Sequence, residues 1–473
     1  MRMNRRRWGV ALATASLVVA PSCVVVAALF VDSGSKRTAS DADNGDGFGR
    51  MVAIDGSYAV VGASFNTPNG ILSGAAYIFE RGVDGQWAEA LRVIPDDGMS
   101  GDFFGFSVGI DGETAIIGAE QDDGMIGSNE GSAYVYVRDV GGVWALEQKI
   151  QAPDASALDL FGFAVAVDAD TALVTCMRDD DVIVDSGSVY VFVRDGGGVW
   201  SFQDKLLASN AAAMVGFGVS IDVVGDDAVV GAPQSDGAGV GFGSVYVYQR
   251  DGFGGWSEVV ELGAVDGADG DQFGSSVAMV DGLIVVGAPM HDANGADAGA
   301  VYVFERNGMG QWSPSAKLMA DVGVAGQLFG SSVSISGGLI VVGARDDDGA
   351  VAGAGAVYLF EPDGGGWTQA DRLVAADGGV NDRFGIGVGV DGGSLIVGAS
   401  GDDDGGLNAG AVYFFDLCVP DINKDGIVDT ADLGLLLGVF GAVGANVADL
   451  NGDLVVDTAD LGLLLGAFGQ ACP

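Results

Sequence analysis

Side chains with oxygen atoms alternate along residues 421–432, near the C-terminus of the chain. Counted as a twelve-residue loop, this stretch has oxygen ligands at positions 1, 3, 5, 9 and 12, which are Asp421, Asn423, Asp425, Asp429 and Asp432. Gly426 stands at position 6, where the backbone must turn sharply, and Ile427 at position 7 can offer its carbonyl oxygen. Oxygen atoms with this spacing point inward and bind Ca²⁺. The stretch therefore predicts a calcium site.

The same pattern returns 28 residues later, in the stretch 449–460. The equivalent ligands are Asp449, Asn451, Asp453, Val455 (through its carbonyl), Asp457 and Asp460. Leu454 replaces the glycine at position 6, where a side chain strains a sharp turn. We expect a second calcium site that binds more weakly than the first.

Each loop is followed by an apolar stretch that predicts a short helix, Leu433 to Phe440 and Leu461 to Phe468. These loop–helix units resemble EF-hands, and the pair resembles a type I dockerin across residues 418–473. The resemblance implies Ca²⁺ as the cofactor and a cohesin-like protein or a cell-surface protein as the partner; an export and sorting tag is the alternative. It also implies that loop positions 10 and 11 contact the partner, which here are Thr430, Ala431, Thr458 and Ala459.

Upstream of this tail the chain is an array of seven repeats that each contain a Phe-Gly pair. The pairs begin at Phe48, Phe104, Phe161, Phe217, Phe273, Phe329 and Phe384. They are spaced 55 to 57 residues apart, so the units contain almost no insertions. A fixed period of this kind indicates a solenoid or a propeller built from one supersecondary unit.

The fifth repeat shows what that unit is. Residues 273–280, 283–289, 299–305 and 312–318 read as strands, and Asp281-Gly282 is a two-residue hairpin signal between the first two. Four antiparallel strands per unit form the blade of a β-propeller. The predicted fold is all-β, a seven-bladed propeller of four-stranded antiparallel blades, followed by a small α-helical dockerin-like domain.

The strands of a blade also differ in side-chain size, which predicts their order. The first has Gly and Ser, as expected near a crowded axis, and the fourth begins with Trp in six repeats. The seventh repeat has no such strand, because Tyr413-Phe414-Phe415 runs directly to Cys418. A propeller with an open edge would be exposed to association. We therefore expect residues 31–40 to supply the outer strand of the last blade.

The repeats resemble the FG-GAP repeats of the integrin α-subunit propeller and the FG-GAP-like arrays of bacterial secreted proteins. The matching motifs are Phe273-Gly274 with Gly287-Ala288-Pro289, Phe217-Gly218 with Gly231-Ala232-Pro233, and the strands that begin Gly-Ala-Val-Tyr. In integrin blades that bind calcium, an Asp-rich loop joins the first two strands. Here that connection is as short as Asp281-Gly282, so the calcium loop of the family is not carried over.

The charge balance limits the choice of partner. With 65 acidic and 21 basic residues the formal net charge is −44, which excludes nucleic acid as a partner because phosphate binding needs clustered Lys and Arg. Acidic runs follow the Gly-Ala positions at Asp122-Asp123, Asp179 to Asp181, Asp346 to Asp348 and Asp402 to Asp404. They could bind metal, but they lack regular ligand spacing, and we interpret them as solvated turn residues.

The repeats offer little material for catalysis. His291 is the only histidine, which leaves little material for a Ser-His-Asp or metal-histidine site, and we interpret it as an ordinary loop residue. A glycosidase needs only two carboxylic acids, yet no acidic pair differs from its equivalents in other repeats. Catalysis therefore stays the second hypothesis.

The N-terminus reads as an export signal. Arg2, Arg5, Arg6 and Arg7 precede an apolar stretch from Trp8 to Ala20, and a second apolar run spans Val24 to Val31. Cleavage after Ala28, an uncleaved anchor and lipidation of Cys23 are the alternatives. In an oxidising compartment Cys418 and Cys472, which bracket the tail, are expected to form a disulfide, whereas Cys176 reads as a small buried hydrophobe.

We therefore divide the chain into a signal or anchor (1–28), a propeller (29–417) and a dockerin-like calcium-binding domain (418–473). The leading hypothesis is a secreted or cell-surface, non-catalytic binding or adhesion protein. Its propeller would bind an unknown protein or glycan, and its tail would tether it to a protein partner. The alternatives are an extracellular polysaccharide-acting enzyme, a glycoside hydrolase or lyase, delivered by its dockerin, and a structural cell-surface protein.

Overall fold

The computed structural model describes residues 34–123, 128–234, 242–349, 351–363, 365–417, 422, 427–443, 446–450 and 455–469. Within these ranges 28 strands form seven antiparallel sheets of four strands each. The first strand of every sheet lines a common central channel. This arrangement confirms the predicted seven-bladed β-propeller.

The blades are numbered by their inner strands, and the first blade begins with β2. Blades one and two contain β2 (Val52–Asp55), β3 (Tyr58–Ala63), β4 (Ala75–Arg81), β5 (Trp87–Val93), β6 (Phe104–Asp111), β7 (Thr114–Ala119), β8 (Ser132–Arg138) and β9 (Trp144–Ile150). Blades three and four contain β10 (Phe161–Asp168), β11 (Thr171–Cys176), β12 (Ser188–Arg194), β13 (Trp200–Leu206), β14 (Ser220–Val224), β15 (Asp227–Ala232), β16 (Ser244–Arg250) and β17 (Trp256–Leu262).

The remaining blades follow the same order, with the Trp strand outermost as predicted. Blades five and six contain β18 (Ser276–Val280), β19 (Leu283–Ala288), β20 (Ala300–Arg306), β21 (Trp312–Leu318), β22 (Phe329–Ser336), β23 (Leu339–Ala344), β24 (Ala356–Asp363) and β25 (Gly366–Leu373). Blade seven contains β26 (Val388–Asp391), β27 (Ser394–Ala399), β28 (Ala411–Asp416) and, from the N-terminal side of the array, β1 (Ser35–Arg37).

The pairing of β1 with β28 closes the ring. Ser35, Lys36 and Arg37 lie opposite Phe414, Tyr413 and Val412 in an antiparallel register. The prediction that residues 31–40 supply the missing outer strand is confirmed, with the strand itself restricted to three residues. β1 therefore covers part of the edge of β28 and becomes the short outer strand of the last blade.

Close backbone contact between blades explains why Phe-Gly and Gly-Ala recur together. A Cβ atom on Gly62 would lie 2.1 Å from the carbonyl oxygen of Gly105 in the next blade, and one on Gly398 would lie 1.8 Å from that of Gly49. Gly105 itself has a φ of +84°, a conformation that glycine adopts without strain. Each glycine of the two phrases therefore permits the approach of neighbouring blades.

The phenylalanine of each phrase fills the space between two blades. All seven are fully buried, and Phe48, for example, packs edge-on against Tyr77 with ring centroids 5.1 Å apart. The core is thus a series of clusters between neighbouring sheets, one of which joins Val285 in blade five to Val342 in blade six. Burying an aromatic side chain of this size contributes about 2–3 kcal/mol. Cys176 is buried in such a cluster, as expected.

The tail contains two helices, α1 (Thr430–Gly438) and α2 (Thr458–Gly466), which contact each other. Each begins three residues before the predicted start, because Asp429 and Asp457 act as N-caps. A small core shared by the two units contains Val428, Leu436, Val456 and Leu464. None of the helices in the described residues is long and apolar enough to span a membrane.

Candidate functional site

The described part of the first predicted calcium loop forms a capping box at the start of α1. The Asp429 carboxylate accepts a hydrogen bond from the backbone N–H of Ala431 at 2.7 Å. The Asp432 carboxylate in turn accepts one from the N–H of Asp429 at 2.7 Å. Asp432 is fully buried, although a carboxylate deep in a small domain is costly unless it is paired or binds a cation.

The second loop repeats this geometry. Asp460 is fully buried and accepts hydrogen bonds from the backbone N–H groups of Asp457 and Leu450, both at 2.7 Å. Asp449, at position 1, is also buried. The carboxylates in the described part of both loops therefore fit the donor set that Ca²⁺ requires. Five predicted ligands lie outside the described residues: Asp421, Asn423, Asp425, Asn451 and Asp453.

The four predicted partner-contacting residues lie on the first turn of each helix. Thr430 and Ala431 are exposed on α1, and Thr458 and Ala459 are exposed in the same places on α2. Ile427 and Val455, predicted to offer carbonyl oxygens, lie just before the helices. Cys418 and Cys472, like the N-terminal segment 1–28, lie outside the described residues, so the disulfide and the signal stay predictions.

The interpretation of the acidic runs as solvated turn residues is wrong for one residue in each run. Asp122, Asp179, Asp347 and Asp402 are each no more than 3% exposed. The reason is that each carboxylate pairs with a cation at the end of the outer strand of its own blade. The cations are Lys149, Lys205, Arg372 and Lys36, in the same order.

Blade seven shows the complete form of this carboxylate–cation cluster. The ammonium group of Lys36 lies 2.8 Å from Asp377, 2.6 Å from Asp402 and 2.6 Å from Asp404. The hydroxyl of Tyr413 donates to Asp377 at 2.8 Å. Burial acts to lower the pKa of Lys36, but the three carboxylates outweigh it and hold the pKa above its usual value. The carboxylates that could share a metal ion here surround an ammonium group instead.

Three blades depart from this pattern. In blade one the buried Asn66 takes the place of the aspartate, and its side-chain oxygen accepts a hydrogen bond from Arg92 at 3.3 Å. In blade five His291 takes the place of the buried aspartate, with its Nε2 3.0 Å from the Lys317 ammonium group. His291 lies in the loop between β19 and β20, as expected, but it is only 6% exposed and so packs into the blade. In blade four Glu261 takes the place of the cation and accepts hydrogen bonds from Ser244 at 2.7 Å and Asn210 at 3.1 Å.

Some buried acids have raised pKa values without forming a catalytic pair. Burial raises the pKa of Asp102 and of Asp159 to about 6. Each accepts a backbone N–H from three residues earlier, at Met99 and Ser156, and so holds the loop that enters its blade. Because Asp46, Asp271 and Asp382 make the equivalent hydrogen bond, these carboxylates serve the fold.

The inner strands surround a channel of about 460 Å³ along the propeller axis. Its walls are mostly Val, Ile, Ala, Gly and Ser, as the small first strands predicted. At the end where the Phe-Gly phrases lie, Arg50 projects from blade one between two phenylalanine rings. Its guanidinium carbon is 5.3 Å from the centroid of Phe65 and 5.8 Å from that of Phe106.

Two more arginines from the neighbouring blades lie close to Arg50. Arg345 and Arg383 come from blades six and seven, and burial together with these two cations lowers the pKa of Arg50. The carboxylate of Asp346 lies 3.7 Å from the guanidinium group of Arg345 and 3.9 Å from that of Arg383. One carboxylate is therefore shared by two arginines at distances too long for a hydrogen bond. We call Arg50, Arg345, Arg383, Phe65 and Phe106 the axial mouth.

The axial mouth was missed by reasoning from the sequence. A repeat-by-repeat comparison could have found it, because Arg50 occupies the second position after a Phe-Gly phenylalanine. The other six repeats have no charge at that position: Phe106, Phe163, Val219, Ser275, Ser331 and Ile386.

A family model described as FG-GAP repeat matches seven segments of the chain, residues 33–79, 87–136, 144–192, 200–248, 256–304, 312–360 and 367–415. Together they cover more than half of the sequence. The first segment starts at the closing strand β1 and ends in β4 of blade one. No curated protein matches the chain.

Proposed function

Because the chain belongs to the FG-GAP repeat family, we propose that it is an exported, non-catalytic binding protein. Its propeller is the interaction platform, and its C-terminal tail is a calcium-dependent tether. Propellers of this family are typically binding platforms. The exported location, the tether and the absence of catalysis are parts of the proposal.

The observation that carries the proposal is the contrast between the blade clusters and the axial mouth. Several buried acids are paired with cations inside the blades, such as Asp402 with Lys36 and Asp122 with Lys149. At the mouth, charged and aromatic side chains are instead left partly exposed beside an open channel. Arginine and aromatic residues are the types enriched at protein binding sites. This distribution supports binding over turnover.

The tail supports the second half of the proposal. Asp432 and Asp460 would hold Ca²⁺ with the other acids of their loops, and the ion would offset the repulsion among these carboxylates. Thr430, Ala431, Thr458 and Ala459 would then contact a cohesin-like or cell-surface protein. Since the two units repeat the same helix start, either one could face the partner.

The test separates binding from catalysis. Residues 29–473 are incubated with a panel of neutral and acidic polysaccharides, and reducing ends and unsaturated products are measured. We expect no turnover. Turnover that disappears when Asp102 and Asp122 are both changed to Asn would overturn the proposal. A parallel pull-down from the native organism, with Ca²⁺ or with EDTA, should recover a partner of the tail only in the presence of Ca²⁺.

A further inference from the structure

The arginines of the axial mouth lack the close carboxylate partner that most other basic residues of the propeller have. Elsewhere a cation in the propeller typically lies within 3 Å of a carboxylate, as Lys149 and Arg250 do. Among the described residues Arg50 has no hydrogen bond or ion pair from its guanidinium group, and Arg345 and Arg383 approach Asp346 no closer than 3.7 Å. In a chain with a net charge of −44, three such groups in one place are a marked local excess.

This arrangement has an electrostatic cost in the free protein. Burial and the like charges of Arg345 and Arg383 lower the pKa of Arg50, and the carboxylate of Glu120 offsets only part of that effect. A carboxylate between the three groups would relieve that repulsion. Arginine is also the side chain best suited to grip a carboxylate through two parallel N–H donors.

The surroundings of the arginines are apolar. Phe65 stacks edge-on with Phe103 at a centroid distance of 6.0 Å, and Phe106 lies 5.2 Å from Phe163. All four rings are partly exposed. Below them the channel walls combine Val, Ile and Ala side chains with serines and one carboxylate, Asp222. The aromatic rings and the aliphatic wall residues suit an apolar group beside the carboxylate.

We propose that the axial mouth binds an acidic side chain that stands next to an apolar one in an exposed segment of a partner protein. The carboxylate contacts Arg50, Arg345 and Arg383, and the apolar side chain enters the channel between the phenylalanine rings. The net charge favours this ligand over an acidic polysaccharide. A polyanion is repelled by the acidic surface around the mouth, whereas a single carboxylate experiences mainly the positive potential of the three arginines. The inference rests on the proposed role of the propeller as a binding platform.

The test uses the full chain and a fluorescein-labelled peptide, Gly-Asp-Phe-Gly-Asp-Phe-Gly, with the Asn counterpart as its control. Anisotropy at 50 mM NaCl should show binding of the Asp peptide, weaker binding at 300 mM, and at least roughly tenfold weaker binding of the Asn peptide. Changing Arg345 and Arg383 together to Gln should weaken the Asp peptide by roughly tenfold or more. Both side chains are more than 40% exposed, so this variant should fold.

The matched control is Arg250→Gln, which removes one positive charge from an arginine paired with Asp226 away from the mouth. It should change the affinity less than twofold. Equal binding of the two peptides, or an unchanged affinity in the double variant, would overturn the inference. Trigalacturonate is tested in the same assay. If it binds where the peptide does not, and if the double variant loses that binding, the ligand is an acidic glycan and the proposed protein ligand is wrong. These measurements test neither turnover nor the tail. A negative result would therefore reject the acidic peptide ligand without rejecting the proposed function.

Discussion

The ammonium group of Lys36 lies 2.6 Å from the carboxylate of Asp402, although 365 residues separate the two in the chain. The contact joins β1 to the loop that follows β27, in the only blade whose strands come from both ends of the repeat array. Three backbone register pairs between β1 and β28 are the other part of this closure. The ring therefore depends on a very short strand fixed by a buried charge cluster.

A chain that begins at residue 45 should melt at a markedly lower temperature than one that begins at residue 29. The shorter chain lacks β1 and Lys36, so it exposes the edge of β28 and leaves Asp402 buried without its cation. Differential scanning calorimetry of both chains measures the difference. Identical melting temperatures would show that β1 does not close the ring.

Lys36→Met should destabilise the protein by about 3 kcal/mol, because it leaves a buried carboxylate unpaired. Since the oxygen atoms of Asp377, Asp402 and Asp404 lie within 4.8 Å of one another, millimolar Ca²⁺ should restore part of that loss. Urea unfolding with Ca²⁺ or EDTA measures both effects.

Lys149→Met is the matched control, since its ammonium group pairs with only two carboxylates, Asp97 and Asp122. It should cost a similar amount of stability, and Ca²⁺ should restore less of it. Equal responses to Ca²⁺ in the two variants would contradict the idea that Lys36 substitutes for a metal ion.

His291→Asp should stabilise the protein by about 1 kcal/mol. In the wild type both ring nitrogens face donors, the Ala293 N–H at 3.0 Å and the Lys317 ammonium group at 3.0 Å. A neutral imidazole has one acceptor nitrogen, so it cannot satisfy both. A carboxylate has two acceptor oxygens, and Asp179 uses them in this way in blade three, one toward the Asp181 N–H and the other toward the Lys205 ammonium group.

The measurement is urea unfolding of the two proteins at one pH, with His291→Asn as the control that provides a single acceptor oxygen. We expect the Asp variant to be the most stable of the three. A loss of stability in the Asp variant would mean that Asp266 and Asp271, both 3.8 Å from Nε2, repel a carboxylate more than Lys317 attracts it.

These contacts show how far the sequence could predict the molecule. The Phe-Gly and Gly-Ala phrases predict seven blades, because a Cβ atom at Gly62 or Gly398 would collide with the backbone of the next blade. The same period predicted where the closing strand had to come from. The order of strands and turns within one 56-residue unit could therefore be predicted from the sequence.

Charge pairing was not predicted, because the partners lie on different strands and loops that only the folded blades bring together. Asp122 looks like a solvated turn residue until β9 brings Lys149 to within 2.8 Å. Arg50 and Arg345 are 295 residues apart and meet only because the ring closes. A propeller gathers one residue from each of several blades around its axis, so no local pattern marks the axial mouth.

The contribution of Asp222 to the free energy of unfolding should fall as the pH rises through 6. This residue lines the channel, and burial raises its pKa from 3.8 to about 6 even though it accepts hydrogen bonds from the Met279 and Val223 N–H groups. Because the folded pKa is the higher one, the native state binds the proton more tightly. Its contribution is fully present below pH 3.8 and is lost above pH 6.

The measurement compares Asp222→Asn with the wild type by urea unfolding at pH 4.5 and 7.5. The difference between the two proteins should change by about 2 kcal/mol in favour of the variant at the higher pH. Asp195→Asn is the control with the opposite sign, since hydrogen bonds from the Val199 and Gly197 N–H groups lower the pKa of that carboxylate. A difference that is the same at both pH values would rule out the buried, ionisable role of Asp222.

The tail should bind two Ca²⁺ ions. Asp432 and Asp460 are fully buried carboxylates at position 12 of their loops, and each already holds the start of its helix. Isothermal titration of the full chain, freed of metal with EDTA and dialysed, should show two sites, with the loop that contains Gly426 binding more tightly. Asp432→Asn should weaken or remove the tighter site, and Asp460→Asn the weaker one. Asp403→Asn, in an acidic run of the propeller, is the control that should leave both sites unchanged; absence of binding heat in the parent chain would reject the calcium sites altogether.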